Sequence, residues 1–373
     1  MTANHRKPPF RADHVGSLLR PPELLAARAK KLKGEISAAE LRTVEDAAIR
    51  KAVALQEEAG MEAVTDGEFR RTFFHVDFLE QLEGVSVTGG MPVKFHSYDS
   101  EVEFSPPKLE VSGKLRHVKS IQGADYDFLK SVTGKTPKVS IPSPTMLHFR
   151  GGRKAVDQQA YPDIEDFFQD LAKAYQTEIA GLAAQGLRYL QMDDTNLAYL
   201  CDPAMRERTR QIGEDPDALP KLYARIINDA ISGRPDDFTM GIHLCRGNFQ
   251  SSWVAEGGYE PVAEVLFNDL NVDAYFLEYD DERSGDFQPL RFVPKGKYVV
   301  LGIISSKLSA LESKDSLKRR IDEAAQHVDL EYLCISPQCG FSSTVEGNKI
   351  TEADEIAKLR LVVEVAEEVW GAA

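Results

Sequence analysis

The stretch DIEDFFQDLAKAYQTEIAGLAAQGLRYLQMDD, from Asp163 to Asp194, contains the repeating unit that decides the fold. Asp163 is a helix-capping residue type, and apolar residues then recur every three or four positions until Gly186, which is typical of an amphipathic helix. The apolar run at 189–192 is too short for a helix and ends at two aspartates. The stretch therefore predicts a helix followed by a buried strand with acidic side chains at its carboxyl end.

Similar short apolar runs recur along the chain, separated mostly by helical patterns. Ser37 and Glu40 have the spacing of a capping box, and Thr351 with Asp354 opens the last helical pattern. The predicted strands are 11–15, 63–65, 138–141, 189–192, 238–242, 274–277, 298–303 and 332–335. Strands that alternate with helices indicate an α/β protein with a parallel sheet, and eight such units fit a closed (β/α)8 TIM barrel.

A doubly wound sheet is the alternative fold, but the glycine-rich phosphate loop that usually follows its first strand is missing here. Residues 84–137 break the alternation and are rich in Gly, Pro, Ser and Val. We interpret them as a β-hairpin excursion over the barrel mouth, between the second and third predicted strands. No long linker divides the chain, so we expect residues 1–373 to form a single barrel domain.

Composition limits the class of partner. The chain is 42% hydrophobic and 28% charged, within the globular range, and its 59 acidic and 45 basic residues give a net charge of -14. This charge disfavours nucleic acid and anionic membrane surfaces, which leaves a small molecule as the expected partner. Without an apolar leader or a membrane-length apolar run, we expect a soluble cytoplasmic protein, and the four cysteines are too few for a disulfide framework.

Metal-ligand residue types fall at the carboxyl ends of the later strands. His243 and Cys245 are two positions apart, so their side chains would project from the same side of an extended segment. Together with Glu278 and Cys339 they offer nitrogen, two sulfurs and one exchangeable oxygen, a set that suits catalytic zinc. Spacing alone leaves a second interpretation open, namely buried inert thiols beside a core histidine.

Two carboxylates also lie at predicted strand ends. Glu68 and Asp193 are suited to binding a substrate ammonium, although capping carboxylates in loops would occupy the same positions. His14, His75 and His148 lie near strand ends as well, and for each of them alone a structural role is favoured.

Several motifs resemble the C-terminal catalytic domain of cobalamin-independent methionine synthase, and more closely the stand-alone single-domain proteins of that superfamily. They span nearly the whole chain. The matching segments are His14-Val15-Gly16-Ser17, Leu19-Arg20-Pro21, Asp66-Gly67-Glu68-Phe69, Gln191-Met192-Asp193-Asp194, Gly241-Ile242-His243-Leu244-Cys245-Arg246-Gly247-Asn248 and Ser336-Pro337-Gln338-Cys339-Gly340.

The resemblance implies that His243, Cys245, Glu278 and Cys339 bind zinc. It also implies that homocysteine is held by Ser17, Glu68 and Asp193. The chain departs from the family at two places: the family's Asp-Glu-Pro reads Asp193-Asp194-Thr195, and Ser305 and Lys307 stand where an aspartate and a histidine are common.

We therefore expect a zinc-dependent methyltransferase that converts homocysteine to methionine, in which the incoming thiol displaces the Glu278 oxygen. Glu68 and Asp193 would orient the amino acid's ammonium for in-line attack by the sulfur. Two alternatives stay open: another zinc-dependent thiol alkylation, such as epoxide opening by coenzyme M, and a catalytically silent protein that binds zinc and homocysteine.

The methyl donor is open between folate, a corrinoid and other donors. The full-length enzymes have a second barrel that helps to hold the folate polyglutamate tail, and this chain has none. Since the net charge of -14 also opposes a chain of glutamates, we expect weak or no transfer from folate polyglutamate. Lys307 or Arg246 could still anchor one carboxylate.

Overall fold

A computed structural model describes residues 7–90, 92–98 and 101–372. The α-helices within these ranges are α1 Pro22–Leu32, α2 Ala38–Glu58, α3 Val76–Leu79, α4 Gly123–Val132, α5 Met146–Phe149, α6 Ile164–Gln185, α7 Asn196–Tyr199, α8 Pro203–Gln211, α9 Leu219–Ile231, α10 Ala263–Asn268, α11 Lys314–Ala324 and α12 Glu352–Trp370. The strands are β1 Ala63–Val64, β2 Glu83–Thr88, β3 Val93–His96, β4 Glu101–Phe104, β5 Lys108–Arg116, β6 Thr136–Pro137, β7 Val139–Pro142, β8 Tyr189–Asp194, β9 Thr239–Leu244, β10 Ala274–Glu278, β11 Tyr298–Ile304 and β12 Leu333–Pro337.

The main sheet has six parallel strands in the order β12-β11-β10-β9-β8-β7. Each neighbouring pair is consecutive among the sheet's strands, and helices or loops lie between them in sequence. β1 pairs in parallel with β6, which continues through Lys138 into β7. The prediction of an α/β fold with a parallel sheet is therefore confirmed.

The first predicted strand, 11–15, forms less sheet than expected. It makes an isolated parallel bridge between Ala12 and Ile335 of β12. Towards β1 the contact is made by a side chain, because the Thr65 hydroxyl donates to the carbonyl oxygen of Gly16 at 2.6 Å. Two prolines at 8 and 9 lack backbone N–H groups, and Gly16 turns the chain with φ 129, so little length remains for a ladder.

The predicted helix caps are present. Ser37 and Glu40 form the capping box of α2, and Thr351 and Asp354 form that of α12. Asp163 caps α6, which ends where the chain turns left-handed at residue 186. No helix in the described ranges is long and apolar enough to cross a membrane.

Two groups of buried apolar residues stabilise the fold. The larger group includes residues from both the main sheet and the helices, and the main-sheet strands are buried along almost their whole length. The smaller group consists of Phe10, Ala63, Tyr189, Ala274, Phe276, Val300 and Cys334. Lys138 lies beside it, with its ammonium 3.0 Å from the Asp13 carboxylate and 4.1 Å from the Phe276 ring centre. The smaller group thus joins side chains from segments that are distant in sequence.

The segment 84–137 is more elaborate than a single hairpin. β2 pairs antiparallel with β5, β3 pairs antiparallel with β4, and α4 and β6 complete the segment. Two pieces with alternating apolar residues, Val93-Lys94-Phe95 and Leu109-Glu110-Val111, lie in β3 and β5. The helix was not expected because the glycine and proline content around it favours turns.

Candidate metal centre and adjoining cavity

Three strands of the main sheet, β9, β10 and β12, bring the predicted metal ligands together. His243 lies near the end of β9, Cys245 directly follows that strand, Glu278 ends β10, and Cys339 follows β12. One ligand atom from each of the four lies within 4.8 Å of the others, and all four residues are buried. The parallel arrangement explains this, since the carboxyl ends of parallel strands share one edge.

The donor atoms suit a metal ion. Nδ1 of His243 lies 3.3 Å from the carbonyl oxygen of Phe276, which leaves Nε2 without a partner in the described structure. Glu278 Oε1 accepts a hydrogen bond from the backbone N–H of Arg246 at 3.1 Å, whereas Oε2 is buried, has no hydrogen-bond partner among the described residues and lies 3.9 Å from the Arg283 guanidinium. Burying polar atoms without a hydrogen-bond partner costs free energy, which a bound metal ion would recover. One nitrogen, two sulfurs and one carboxylate oxygen are a donor set that suits zinc.

The thiols of Cys245 and Cys339 lie within hydrogen-bonding distance of each other. Their sulfur atoms are 3.4 Å apart. The hydrogen bond from Cys245, helped by His243, lowers the pKa of Cys339 well below its usual range, while the same contact and burial raise the pKa of Cys245. A divalent metal ion bound here would hold both sulfurs as thiolates.

A cavity opens beside the four ligands. Its lining includes His243, Cys245 and Cys339 and all three predicted substrate contacts. Those contacts are Ser17, Glu68 and Asp193. Phe95 and Phe104, from β3 and β4, contribute apolar surface and contact Phe249, with ring centres 5.4 and 4.1 Å from that ring.

Glu68 has one carboxylate oxygen that accepts a hydrogen bond and one that has no partner among the described residues. It adopts a positive φ of 60°, which is uncommon for a residue other than glycine and occurs often at functional sites. Ser140 Oγ donates to Glu68 Oε1 at 2.7 Å and the Arg71 guanidinium lies 3.7 Å away. Oε2 is buried and has no partner among the described residues. Burial raises the pKa of this carboxyl.

Asp193 presents a second buried carboxylate to the same cavity. Gln191 Nε2 donates to its Oδ1 at 2.7 Å. Burial, together with the negative charge of Glu68, raises the pKa of Asp193 to about 7. Two buried carboxylates that line one cavity favour a cation between or beside them.

Ser17 packs against the turn that follows β12. A Cβ at Gly340 would come within 1.9 Å of Ser17 Oγ, so any larger residue there would displace the Ser17 hydroxyl. The N–H of Phe341 donates to the Ser17 carbonyl oxygen at 2.9 Å. The turn that carries Cys339 is thereby fixed against the turn that carries Ser17.

Other residues considered from the sequence lie elsewhere. Arg246 is fully buried and donates to the Tyr259 hydroxyl at 2.9 Å and the Glu278 carbonyl at 3.1 Å, which is a structural role. Lys307 is buried too, and its Nζ has no partner within the described ranges. Neither is among the residues that line the cavity. Asp194 accepts hydrogen bonds from Thr145 and from the Leu197 N–H at the start of α7.

The sequence analysis missed one charged lining residue, Arg150, and assigned no ligand role to another, His75. Arg150 follows α5 and His75 precedes α3, both in short segments with no recognisable motif. Their position depends on the path of these loops, so no local signal could have located them.

The chain is similar to a known protein family over nearly its whole length. The model for the cobalamin-independent synthase catalytic domain matches residues 10–368. The chain belongs to this family.

Three relatives illustrate the match. The uncharacterized protein YxjH of Bacillus subtilis (strain 168) is 48% identical over 372 residues, 99% of this chain and 97% of YxjH. A Listeria monocytogenes crystal structure, provisionally named a vitamin-B12-independent methionine synthase, is 38% identical with a TM-score of 0.78, covering 98% of this chain and 100% of that one. Methionine synthase of Pyrococcus abyssi (strain GE5 / Orsay) is 26% identical over 328 residues, 87% of this chain and 84% of that protein.

Proposed function

We propose that the protein is a zinc-dependent methyltransferase that methylates homocysteine to methionine. The observation that carries this proposal is that one cavity is lined both by three of the four converging metal-ligand residues and by the buried carboxylates Glu68 and Asp193. A metal centre suits the sulfur of homocysteine, and the carboxylates suit its ammonium. Membership of the cobalamin-independent synthase family and the name of the Pyrococcus abyssi relative support the reaction class.

His243, Cys245, Glu278 and Cys339 would hold the zinc ion. Zinc bound there would lower the pKa of a substrate thiol, so that sulfur attacks as the thiolate. Glu278 is the ligand that can yield its place, because its Oε2 already lies 3.9 Å from the guanidinium of Arg283. A carboxylate that leaves the centre would thus meet a buried positive charge.

Glu68 and Asp193 would bind the ammonium and thereby fix the direction of the sulfur. Ser140 and Arg71 hold Glu68, so this substrate contact is positioned before binding. Ser17 would contact the amino acid from the opposite turn. The aromatic rings of Phe95 and Phe104 would exclude water from the reacting atoms.

We also propose that residues 1–373 form one closed (β/α)8 barrel. The bridge of Ala12 to β12 and the hydroxyl contact of Thr65 with Gly16 support a ring in which segment 11–15 joins β12 to β1. The small apolar group around Phe276 and Tyr189 would fill its interior. Segment 84–137 would then extend over the mouth, since its Phe95 and Phe104 line the cavity.

Product analysis tests the proposed reaction. Zinc-loaded protein is mixed with homocysteine or coenzyme M, and with methyl-tetrahydrofolate mono- or triglutamate, a methylated corrinoid, or an epoxide. Methionine formed only with homocysteine and zinc supports the proposal. Alkylation of coenzyme M alone would indicate the other thiol transferase, and zinc with homocysteine binding but no product from any donor would indicate a silent binding protein.

A further inference from the structure

His75 is a buried residue in the wall of the cavity. It is 4% exposed, and neither ring nitrogen has a hydrogen-bond partner in the described structure. Its ring packs against Phe74 with centres 4.6 Å apart and lines the cavity beside the metal ligands. Burying an unpaired imidazole costs free energy that a ligand group would recover.

Arg150 lines the same cavity as His75, and no carboxylate among the described residues forms an ion pair with its guanidinium. Its side chain also forms no hydrogen bond with residues 7–90, 92–98 and 101–372. Burial, reinforced by the charge of Arg208, lowers the pKa of Arg150, yet a guanidinium stays protonated at neutral pH. A half-buried cation without a carboxylate is a site for an anion.

Arg150 also lines a second cavity, defined here by Phe149, Arg150, Met205, Ile212 and Val254. The two cavities share the walls Phe95, Pro106, Arg150 and Tyr199. The second cavity is mostly apolar, so a ligand that spans both would have an apolar body and an acidic group near Arg150.

We propose that His75 and Arg150 bind the acidic group of the second substrate, the methyl donor. This inference rests on the proposed methyl transfer. It predicts donors with a carboxylate, phosphate or sulfonate, and it disfavours cationic sulfonium donors, which would meet an unpaired guanidinium. His75 and Arg150 are specificity residues here, not sources of protons.

The thiol substrate is the other possible owner of an acidic group, since homocysteine has a carboxylate. Its ammonium is expected at Glu68 and Asp193, which line the first cavity but not the second. Arg150 instead lines both cavities, and Arg208 lines the second. This placement favours the donor.

The reaction balances without any change at these two residues. The bond between the methyl carbon and the donor breaks with its electron pair kept by the donor, and the sulfur–carbon bond forms with the sulfur's pair. The thiol proton leaves to solvent or to the donor. Arg150 keeps its charge and compensates the donor's acidic group throughout.

Steady-state kinetics of Arg150→Gln and His75→Phe test the inference, with Arg225→Gln, an exposed arginine of α9 paired with Glu165, as the matched charge control. We expect the KM for 5-methyltetrahydrofolate monoglutamate to rise about tenfold or more in Arg150→Gln. The KM for homocysteine, and the rate with methyl iodide as an uncharged donor, should change less than threefold. Arg225→Gln should behave like the unaltered protein.

Calorimetric titration with the same folate, without thiol, keeps the test independent of turnover. Weaker binding in Arg150→Gln supports the inference even if no methyl transfer occurs, whereas the proposed function fails if no donor yields product. Unchanged folate binding would overturn it. A rise in the KM for homocysteine with the folate KM unchanged would also overturn it and assign Arg150 to the thiol's carboxylate.

Discussion

The sulfur atoms of Cys245 and Cys339 lie 3.4 Å apart, although 94 positions separate the two residues in the chain. Both are free thiols, and the His243 and Glu278 ligand atoms lie within the same small volume. Because the two cysteines follow different strands, β9 and β12, their sulfur atoms come together only in the folded protein.

Replacing either thiol should remove the metal. We expect Cys245→Ser and Cys339→Ser to lose most of about one zinc per chain, because a hydroxyl is a poor substitute for a thiolate ligand. Cys201→Ser is the control, since that buried thiol lies outside the cluster. Metal analysis of purified protein measures this, and full zinc content in both cluster variants would exclude these cysteines from the centre.

Glu278 should behave differently from the cysteines. Glu278→Ala should keep more zinc than the serine variants, because three ligands including both sulfurs remain. Asp280→Asn, two positions on, is a control that alters a buried acid paired with Arg283 at 2.9 Å. Competition with a chelator ranks the variants. A Glu278→Ala protein as depleted as Cys339→Ser would contradict an exchangeable carboxylate.

The carboxylates should recognise the ammonium. Glu68→Gln or Asp193→Asn should weaken homocysteine binding by roughly 1.5–3 kcal/mol, the contribution of a charge-assisted hydrogen bond. Binding of 4-mercaptobutyrate, which lacks the amino group, should change far less. Titration calorimetry compares the two thiols, and equal losses for both would mean that these carboxylates do not bind the ammonium.

The metal centre was accessible to sequence reasoning in a way that the rest of the site was not. His243 and Cys245 share one strand end, and residue type with strand position sufficed to group them with Glu278 and Cys339. The caps at Ser37, Asp163 and Thr351 were equally local. In contrast, Arg150 becomes a candidate binding residue only in the structure, because only there is it seen that no described carboxylate pairs with it.

The segment 84–137 was predicted in outline only, for a related reason. Alternating residues revealed strands, but the pairing of β2 with β5 around β3 and β4 depends on long-range contacts. The first strand was overestimated because its apolar pattern carries no information on how many backbone bonds its neighbours can make.

Stability should depend on pH through Glu355, a residue of α12 remote from the metal centre. Its Oε2 accepts the Leu19 N–H at 2.8 Å, and burial raises its pKa from 4.5 to about 8. The folded protein therefore retains a proton that the unfolded chain has lost, so this group's contribution to stability falls as pH rises from about 4.5 to 8.

Glu355→Gln can keep the hydrogen bond from Leu19 and has no charge to bury. We expect it to become more stable than the unaltered protein by roughly 1 kcal/mol at pH 5, rising to roughly 4 kcal/mol at pH 8, given about 1.4 kcal/mol for each unit of pKa. Urea unfolding at several pH values measures the difference. The same pH dependence in both proteins would refute the assignment.

X-ray absorption at the zinc edge tests most directly whether the four-residue centre takes up a thiol. Zinc-loaded protein should have two sulfur neighbours at the metal before homocysteine is added and three afterwards, with one fewer oxygen neighbour. Methionine at the same concentration should leave two. A sulfur count that stays at two with saturating homocysteine would contradict thiol binding at His243, Cys245, Glu278 and Cys339.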